Sequence, residues 1–233
     1  MMEPLYQNLL GTALMVLYIR TVVSVCDGAV QRGHVSLLLS RKVVHVAAAC
    51  LCLWWSLFDA AHWTWRLNVF VPALYGVRLI VKGLLVADPN DVDVKTMSRT
   101  GRPIELCQGP LLFILVVIYT GLYQFKTDVG VYMMAAVGFG DGIAPLVGTY
   151  FPWGYYKIGG GIKTLSGSAG VFFGTVIGIF ILRAGVGAPA TLYADRVLGV
   201  ALVATLAEAV TGKWDNPAIA ASVWLFLRAT KTM

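Results

Sequence analysis

The run Gly138-Phe139-Gly140-Asp141-Gly142 sets a carboxylate inside an otherwise uncharged apolar stretch, residues 129–147, beyond its midpoint. An ionised group at that depth in a bilayer is expensive, so it faces a partner, a cavity or an ion path rather than lipid. Glycine on both sides removes side chains and lets backbone or ligand approach closely, which makes Gly140 and Gly142 candidate ligand contacts. Two kinds of chemistry suit Asp141: holding a divalent cation, and pairing with a nearby Lys or Arg.

Four further clusters carry groups of the same kind. Lys157 precedes Gly159-Gly160-Gly161-Ile162-Lys163-Thr164-Leu165-Ser166-Gly167-Ser168, which runs directly into another apolar stretch. Glycine-rich backbone, a lysine, hydroxyls and a helix start offer N–H donors and positive charge to an anion, so Lys163, Gly167 and Ser168 form a candidate phosphate cradle. The spacing is not that of a P-loop, because Ile162 separates the glycines from Lys163; a loop with a serine helix cap is the plainer alternative. Arg41-Lys42-Val43-Val44-His45 opens an apolar stretch and sets His45 one helical turn from Arg41. Ser98-Arg99-Thr100-Gly101-Arg102 precedes Glu105-Leu106 and Gly109-Pro110-Leu111. Arginine grips phosphate through two parallel hydrogen bonds, and Glu105 could bind a metal or fix an arginine. Finally, Glu208 lies in an apolar segment before Asp215-Asn216-Pro217, a set suited to metal or ribose contacts, or to a turn with a proline-started helix.

The elements that must hold these groups are membrane helices. The chain has 233 residues, of which 58% are hydrophobic and 13% charged, against about 25% charged in soluble domains. Its mean hydropathy is +0.75. Apolar stretches at residues 5–25, 43–58, 63–86, 110–125, 129–147, 167–182, 196–210 and 217–227 predict an all-α, polytopic transmembrane bundle of about seven or eight spans, the last two being short. No internal repeat is visible and the longest polar interruption, residues 87–108, is too short to fold alone. Residues 1–233 are therefore expected to form a single membrane domain.

The net charge of +6 does not point to nucleic acid, since there is no dense Lys/Arg run and no soluble module to carry one. Arg32, Arg41, Lys42, Lys95, Arg99, Arg102, Lys157, Lys163 and Lys213 fall in one set of alternate loops; Arg66, Lys126 and Arg183 fall in the other, with Arg228 and Lys231 at the tail. The positive-inside tendency puts the richer set on the cytoplasmic or equivalent side. Met1-Met2-Glu3-Pro4 has neither the basic region of a signal peptide nor an Arg/Ser-rich transit stretch, so the first span is expected to stay as an anchor. The four cysteines show no metal-ligand spacing and read as small hydrophobes.

In order and spacing, Arg41-Lys42 with His45, Ser98-Arg99 with Gly101, Glu105-Leu106 and Gly109-Pro110-Leu111, Gly140-Asp141-Gly142-Ile143-Ala144 with Val147-Gly148, Lys163 with Leu165 and Gly167-Ser168, and Asp215-Asn216 resemble the phytol kinase and farnesol kinase branch of the polyprenol kinase family. The resemblance implies a multi-pass enzyme that uses CTP and magnesium to phosphorylate the terminal hydroxyl of an isoprenoid alcohol, in a plastid or endoplasmic reticulum membrane. It implies Asp141 as magnesium ligand and Asp141, Lys163, His45 and Glu105 as the catalytic set. Arg41, Lys42, Arg99, Arg102, Gly140, Gly142, Gly167, Ser168, Asp215 and Asn216 would bind nucleotide or phosphate. Pro145 stands where the family commonly has an acidic residue, and Thr149-Tyr150 where it has a basic pair. Two other functions use similar groups: a CTP-dependent phosphatidate cytidylyltransferase, against which the Ser98 to Leu111 block argues, and an ion-coupled transporter, for which an internal repeat is missing.

Overall fold

The computed structural model describes residues 3–98, 100–158, 161–186, 193–212 and 214–230. Arg99 and Lys213, and Gly159-Gly160 of the glycine run, lie outside the described residues. Helix α1, Pro4–Gln31, begins on a proline whose fixed φ suits the first turn. Helix α2, Leu37–Leu57, begins where Ser36 Oγ accepts from Leu39 N at 3.2 Å, and tightens into a 3₁₀ segment over Cys50–Leu57. Helix α3, Trp63–Val86, ends in a π segment over Val81–Val86 and stops at Ala87, which adopts the left-handed conformation (φ 49°). The short α4, Val92–Met97, precedes α5, Pro103–Tyr123.

Helix α6, Asp128–Tyr150, is the centre of the bundle. In its most apolar 18-residue window 83% of the residues are buried, against 22% for α1 and 39% for α5. Thr127 caps it by accepting from Gly130 N at 3.1 Å. Its regular geometry is interrupted by a π segment at Ala135–Gly140, and α-helix resumes at Asp141 with Pro145 inside it. A π turn widens the helix by one residue and is frequent at functional positions; here it ends immediately before the intramembrane carboxylate.

Two strands, β1 (Tyr155–Ile158) and β2 (Gly161–Thr164), pair antiparallel with Tyr156 opposite Lys163 and Lys157 opposite Ile162. The glycine run was expected to be a loop or a phosphate cradle; of its residues, Gly161 opens β2 and pairs with Ile158 at the end of β1. Aromatic and β-branched residues at Tyr155, Tyr156, Ile158, Ile162 and Thr164 favour the extended state on both sides of the glycines. Thr164 Oγ1 accepts from Gly167 N at 3.0 Å, so a threonine rather than a serine caps the following helix.

That helix, α7 (Leu165–Val186), lies along α6 through a stripe of glycines. A Cβ built on Gly170 would meet Ala144 Cα at 3.1 Å, one on Gly174 would meet the Phe139 carbonyl oxygen at 2.8 Å, and one on Gly178 would meet the Phe139 ring at 2.8 Å. Spacing of four puts all three on one face, the small-residue pattern by which membrane helices bring their backbones together. Helices α8 (Ala194–Val210) and α9 (Asp215–Ala229) complete the bundle and bury Val197, Val200 and Ala204 against Ile219, Val223 and neighbouring apolar residues.

Among the described residues six helices, α1, α2, α3, α5, α6 and α7, are long and apolar enough to cross a membrane. The all-α helical bundle is therefore present, and the first six expected spans correspond to these six helices. At 17 and 15 residues, α8 and α9 fall short of the roughly 20 residues that cross a bilayer core. Gly174→Val forces α7 backbone away from α6 and is expected to cost about 1–3 kcal/mol, read as a lower Tm in detergent. Gly161→Ala, where nothing lies within 4 Å of the added carbon, leaves Tm unchanged; equal effects of the two would refute the close-packed stripe.

Candidate functional site

Lys42 lies one turn into α2, and its ammonium donates to the Asp141 carbonyl at 3.0 Å and to Asp141 Oδ2 at 3.1 Å. Both side chains are about nine-tenths buried. Opposite charges at this depth repay their desolvation only when closely paired and hydrogen-bonded, and this pair uses carboxylate and backbone together. His45, one turn further along α2, brings Nε2 to 3.0 Å from the Val137 carbonyl oxygen and 3.5 Å from Asp141 Oδ2. A carbonyl oxygen only accepts, so Nε2 carries the proton and Nδ1 is left as the ring's acceptor. The imidazole stacks on Phe113 of α5, with ring centroids 3.8 Å apart.

Local sequence explains the close approach. A Cβ on Gly142 would meet Val46 Cγ2 at 2.7 Å, and one on Gly138 would collide with Ala49 Cβ. Gly140 faces the other way, where a Cβ would meet Thr175 Oγ1 at 2.5 Å. Gly140 and Gly142 thus bring α7 and α2 against the helix that carries Asp141. Val137, whose carbonyl receives His45, lies in the π segment, where the ordinary hydrogen-bond ladder shifts register.

Lys42, His45 and Asp141 lie on the wall of a cavity of about 210 Å³. Its polar end also includes Arg41, Glu105, Gln108, Asp215 and Asn216; its other wall is formed by Ile19 and Val23 of α1, Val71, Pro72 and Tyr75 of α3, and Ile114 of α5. Gly109-Pro110 and Asp215-Asn216, at the amino-terminal ends of the α-helical parts of α5 and α9, line it as well. Helix amino termini favour anions through their uncompensated N–H groups, so two of them join Arg41 and Lys42 as the positive groups of a cavity that also carries the carboxylates of Asp27, Asp93, Glu105, Asp141 and Asp215.

Glu105 serves the loop before α5. Its Oε1 accepts from Thr100 Oγ1 at 2.6 Å, its Oε2 accepts from Thr100 N at 2.9 Å, and Arg102 Nη2 lies 3.5 Å from Oε1. Gly101 occupies a positive φ of 79° at the tip, and Arg41 Nη1 donates to the Ser98 carbonyl at 3.4 Å. Arg41 and Glu105, which both line the cavity, thus hold this loop by hydrogen bonds. The guanidinium of Arg102 is largely exposed and is not among the cavity-lining groups.

Asn216 Nδ2 donates to the Gly109 carbonyl at 3.4 Å, tying α9 to α5. Its Oδ1 is buried and, among the described residues, has no hydrogen-bond partner. A buried amide oxygen that lacks a donor, on a residue that lines a cavity, suits a cation or a ligand N–H or O–H.

Lys163, Gly167 and Ser168 are placed elsewhere. Lys163 Nζ is 2.6 Å from Glu208 Oε1 and also donates to the Glu208 carbonyl, Gly167 packs against Thr164 and Gly148, and Ser168 Oγ bonds Tyr156 OH at 2.6 Å. None of the three lines the cavity. Glu208, a candidate for metal or ribose, is thus the counter-charge of Lys163. The site residues brought together are Arg41, Lys42, His45, Glu105, Asp141, Asp215 and Asn216.

The chain is 32% identical over 160 residues to phytol kinase 1, chloroplastic, of Arabidopsis thaliana, 67% of this chain and 52% of that protein. It is 33% identical over 160 residues to a probable phytol kinase 1, chloroplastic, of Glycine max, again 67% and 52%. This chain is a homologue of the phytol kinases. The farnesol kinase, chloroplastic, of Arabidopsis thaliana is 32% identical over 123 residues, 52% of this chain and 40% of that protein, consistent with the phytol and farnesol kinase branch. The chain spans about half the length of the phytol kinases it matches. No family model and no solved structure matches it.

Several cavity residues carried no signal in the sequence. Phe113 is one apolar residue among many in α5, and its stacking on His45 depends on tertiary packing. Asp93 could have been found: Asp91-Val92-Asp93 is an acidic pair at a helix start. In the fold Asp93 accepts from Arg78 Nε at 2.6 Å and Nη2 at 2.9 Å, and lies 2.8 Å from Lys82 Nζ. The Lys82 ammonium beside Asp91 also holds that carboxyl below its ordinary range. These ion pairs fasten α4 to α3 where Asp93, Thr96 and Met97 edge the cavity.

Removing the charge from Lys42 takes from Asp141 its nearest counter-charge. Lys42→Met is expected to destabilise by about 3–5 kcal/mol, measured by denaturation in detergent, and Lys42→Met with Asp141→Leu to recover most of the loss. Additive losses in the double variant would show that the two side chains are not energetically coupled.

Proposed function

We propose that the chain is an isoprenoid-alcohol kinase, transferring the terminal phosphoryl group of a nucleoside triphosphate to the hydroxyl of a phytol, geranylgeraniol or farnesol type alcohol at the membrane interface. The observation that carries this reading is the two-ended cavity: hydrocarbon walls from α1, α3 and α5 meet a polar end of Lys42, His45, Asp141, Asp215 and Asn216. A prenyl alcohol has the same division, an isoprenoid chain ending in one hydroxyl. The printed names of its relatives, phytol kinase and farnesol kinase, support the same substrate class. Their chloroplastic designation supports a plastid membrane as the location. CTP is the donor implied by the family resemblance.

Phosphoryl transfer requires positioning and charge neutralisation more than covalent help from the protein. In the proposed step the alcohol oxygen bonds to the γ-phosphorus, the bond from that phosphorus to the bridging oxygen breaks, and the nucleoside diphosphate leaves with the electron pair. His45, with Nε2–H committed to the Val137 carbonyl, has Nδ1 to receive the hydroxyl proton. Lys42, Arg41 and the amino-terminal ends of α5 and α9 offset phosphate charge. Glu105 and Arg41 hold the loop before α5.

Magnesium fits this end of the cavity. Among the described residues no three His, Cys, Asp or Glu side chains converge as a ready-made cage, but magnesium bound to nucleotide phosphates needs only one or two protein carboxylates. Asp141 and Asp215, with the unpartnered Asn216 Oδ1, would hold it. Bound there, the ion would neutralise the phosphate oxygens.

The full chain in detergent with magnesium is expected to move label from the γ-phosphate of CTP, and less readily of ATP, onto at least one of phytol, geranylgeraniol and farnesol. His45→Gln should lower kcat by about 10²–10⁴-fold, the usual contribution of a general base, and Asp141→Asn should reduce turnover to background. Transfer of the α-phosphate into a nucleotide-linked lipid would instead identify a cytidylyltransferase. Transfer of neither label would refute the kinase reading.

A further inference from the structure

The cavity leaves one prominent surface unused. Phe151 and Trp153 are 72% and 70% exposed, and Tyr155 and Ile162 of the hairpin are 68% and 75% exposed. Strand alternation sorts the hairpin residues. Tyr156 and Lys163, opposite one another, face the bundle, where they bond Ser168 and Glu208. Tyr155 and the opposed pair Lys157 and Ile162 belong to the other face. An isolated two-stranded ribbon is marginal in water, so the inner contacts hold it in place while the aromatic outer face remains uncovered.

The position of this face is fixed by the chain. Tyr150 ends α6 and Leu165 begins α7, two helices long and apolar enough to span, so residues 151–164 must lie at a bilayer boundary. Tyr150 OH is 3.2 Å from Ser36 Oγ at the start of α2, the end that carries Arg41 and Lys42. The ribbon therefore lies on the side where the polar end of the cavity is found. None of Phe151, Trp153, Tyr155, Lys157 or Ile162 lines that cavity, so the face is not its lid. Trp and Tyr concentrate at headgroup level, where their rings meet both hydrocarbon and water. Lys163 is neutralised by Glu208 within the protein, whereas the Lys157 side is solvent-facing and supplies a cation to a phosphodiester.

We propose that the outer face of β1–β2, with Phe151 and Trp153 before it, is an interfacial anchor that lies among phospholipid headgroups. It fixes the depth of the ribbon whose inner face holds Lys163. The inference rests on the membrane reading of the helices and does not depend on which reaction the cavity performs.

The test places an environment-sensitive fluorophore on Ile162→Cys in the full chain, reconstituted in phosphatidylcholine vesicles with bromine either just below the headgroups or at the acyl-chain ends. Signal from the unsubstituted chain is subtracted. Emission shifted to the blue, and quenched more by the headgroup-proximal bromine than by the terminal one, is expected. Tyr155→Cys, on the same face, repeats the measurement should Ile162→Cys fold poorly. Asp88→Cys, in the exposed turn before α4, marks water-like emission, and Ile177→Cys, exposed mid-way along the apolar helix α7, marks hydrocarbon. Water-like emission at both hairpin positions would overturn the anchor, as would stronger quenching by the terminal bromine. An unquenched label at Ile177→Cys would sink the membrane reading and the anchor with it.

Discussion

A carboxylate held inside an apolar bundle is the constraint around which the other helices are arranged. Burying Asp141 costs about 2.5–3.5 kcal/mol at the centre of a membrane helix by insertion measurements, and an unpaired charge costs more in a dry interior. Lys42 answers that cost from a different helix, so α2 must approach α6 closely enough for an ammonium to reach both carboxylate and carbonyl. Ala49 and Val46 facing Gly138 and Gly142 make the approach possible, and the glycine stripe of α7 encloses α6 from the opposite side. The π segment just before Asp141 alters the hydrogen-bond register where the Val137 carbonyl receives His45. Helix packing and the candidate chemistry are therefore consequences of one buried charge.

The spans were legible because their signal is local. Twenty apolar residues in a row predict a helix wherever they occur, and the first six stretches coincide with the six long apolar helices. The hairpin was hidden because glycine, lysine and hydroxyl residues suit a phosphate loop as well as a turn, and the two are separated only by the β propensity of Tyr155, Tyr156 and Ile162. The short α4 was lost inside a polar segment whose order depends on ion pairs to Arg78 and Lys82. Helices α8 and α9 are recognisable as apolar but shorter than a bilayer core, so their hydropathy alone exaggerates their resemblance to spans.

For the site, residue type was legible and partnership was not. Asp141, Lys42 and His45 stood out as ionisable groups in apolar surroundings, yet Lys42 and Asp141 are 99 positions apart. Depth in the membrane is shared by every charge near one face, so depth could not decide which cation meets which acid. Lys163 was an equally good partner by that criterion, and the fold gives it to Glu208. Arg102 and Glu105 are three apart and could be paired from sequence, but the larger role of Glu105, accepting from both Thr100 N and Thr100 Oγ1, required the positive φ of Gly101 at the loop tip.

A lipid-alcohol kinase must join a donor that stays in water to an acceptor that stays in hydrocarbon. The proposed site meets this by putting its charges at the end of an apolar cavity and keeping them paired when no phosphate is present. An ammonium has three donors; two from Lys42 go to Asp141, and an arriving phosphate can take the third or displace the carboxylate. Displacement would leave Asp141 negative beside new negative charge, an arrangement that is stable only if a cation enters with the phosphate. The unpartnered Asn216 Oδ1 and the Asp215 carboxylate offer oxygen ligands at that end. In the proposed site, the same ion pair that stabilises the bundle would therefore favour phosphate accompanied by its counter-ion over phosphate alone, which would couple the electrostatics of folding to the choice of ligand.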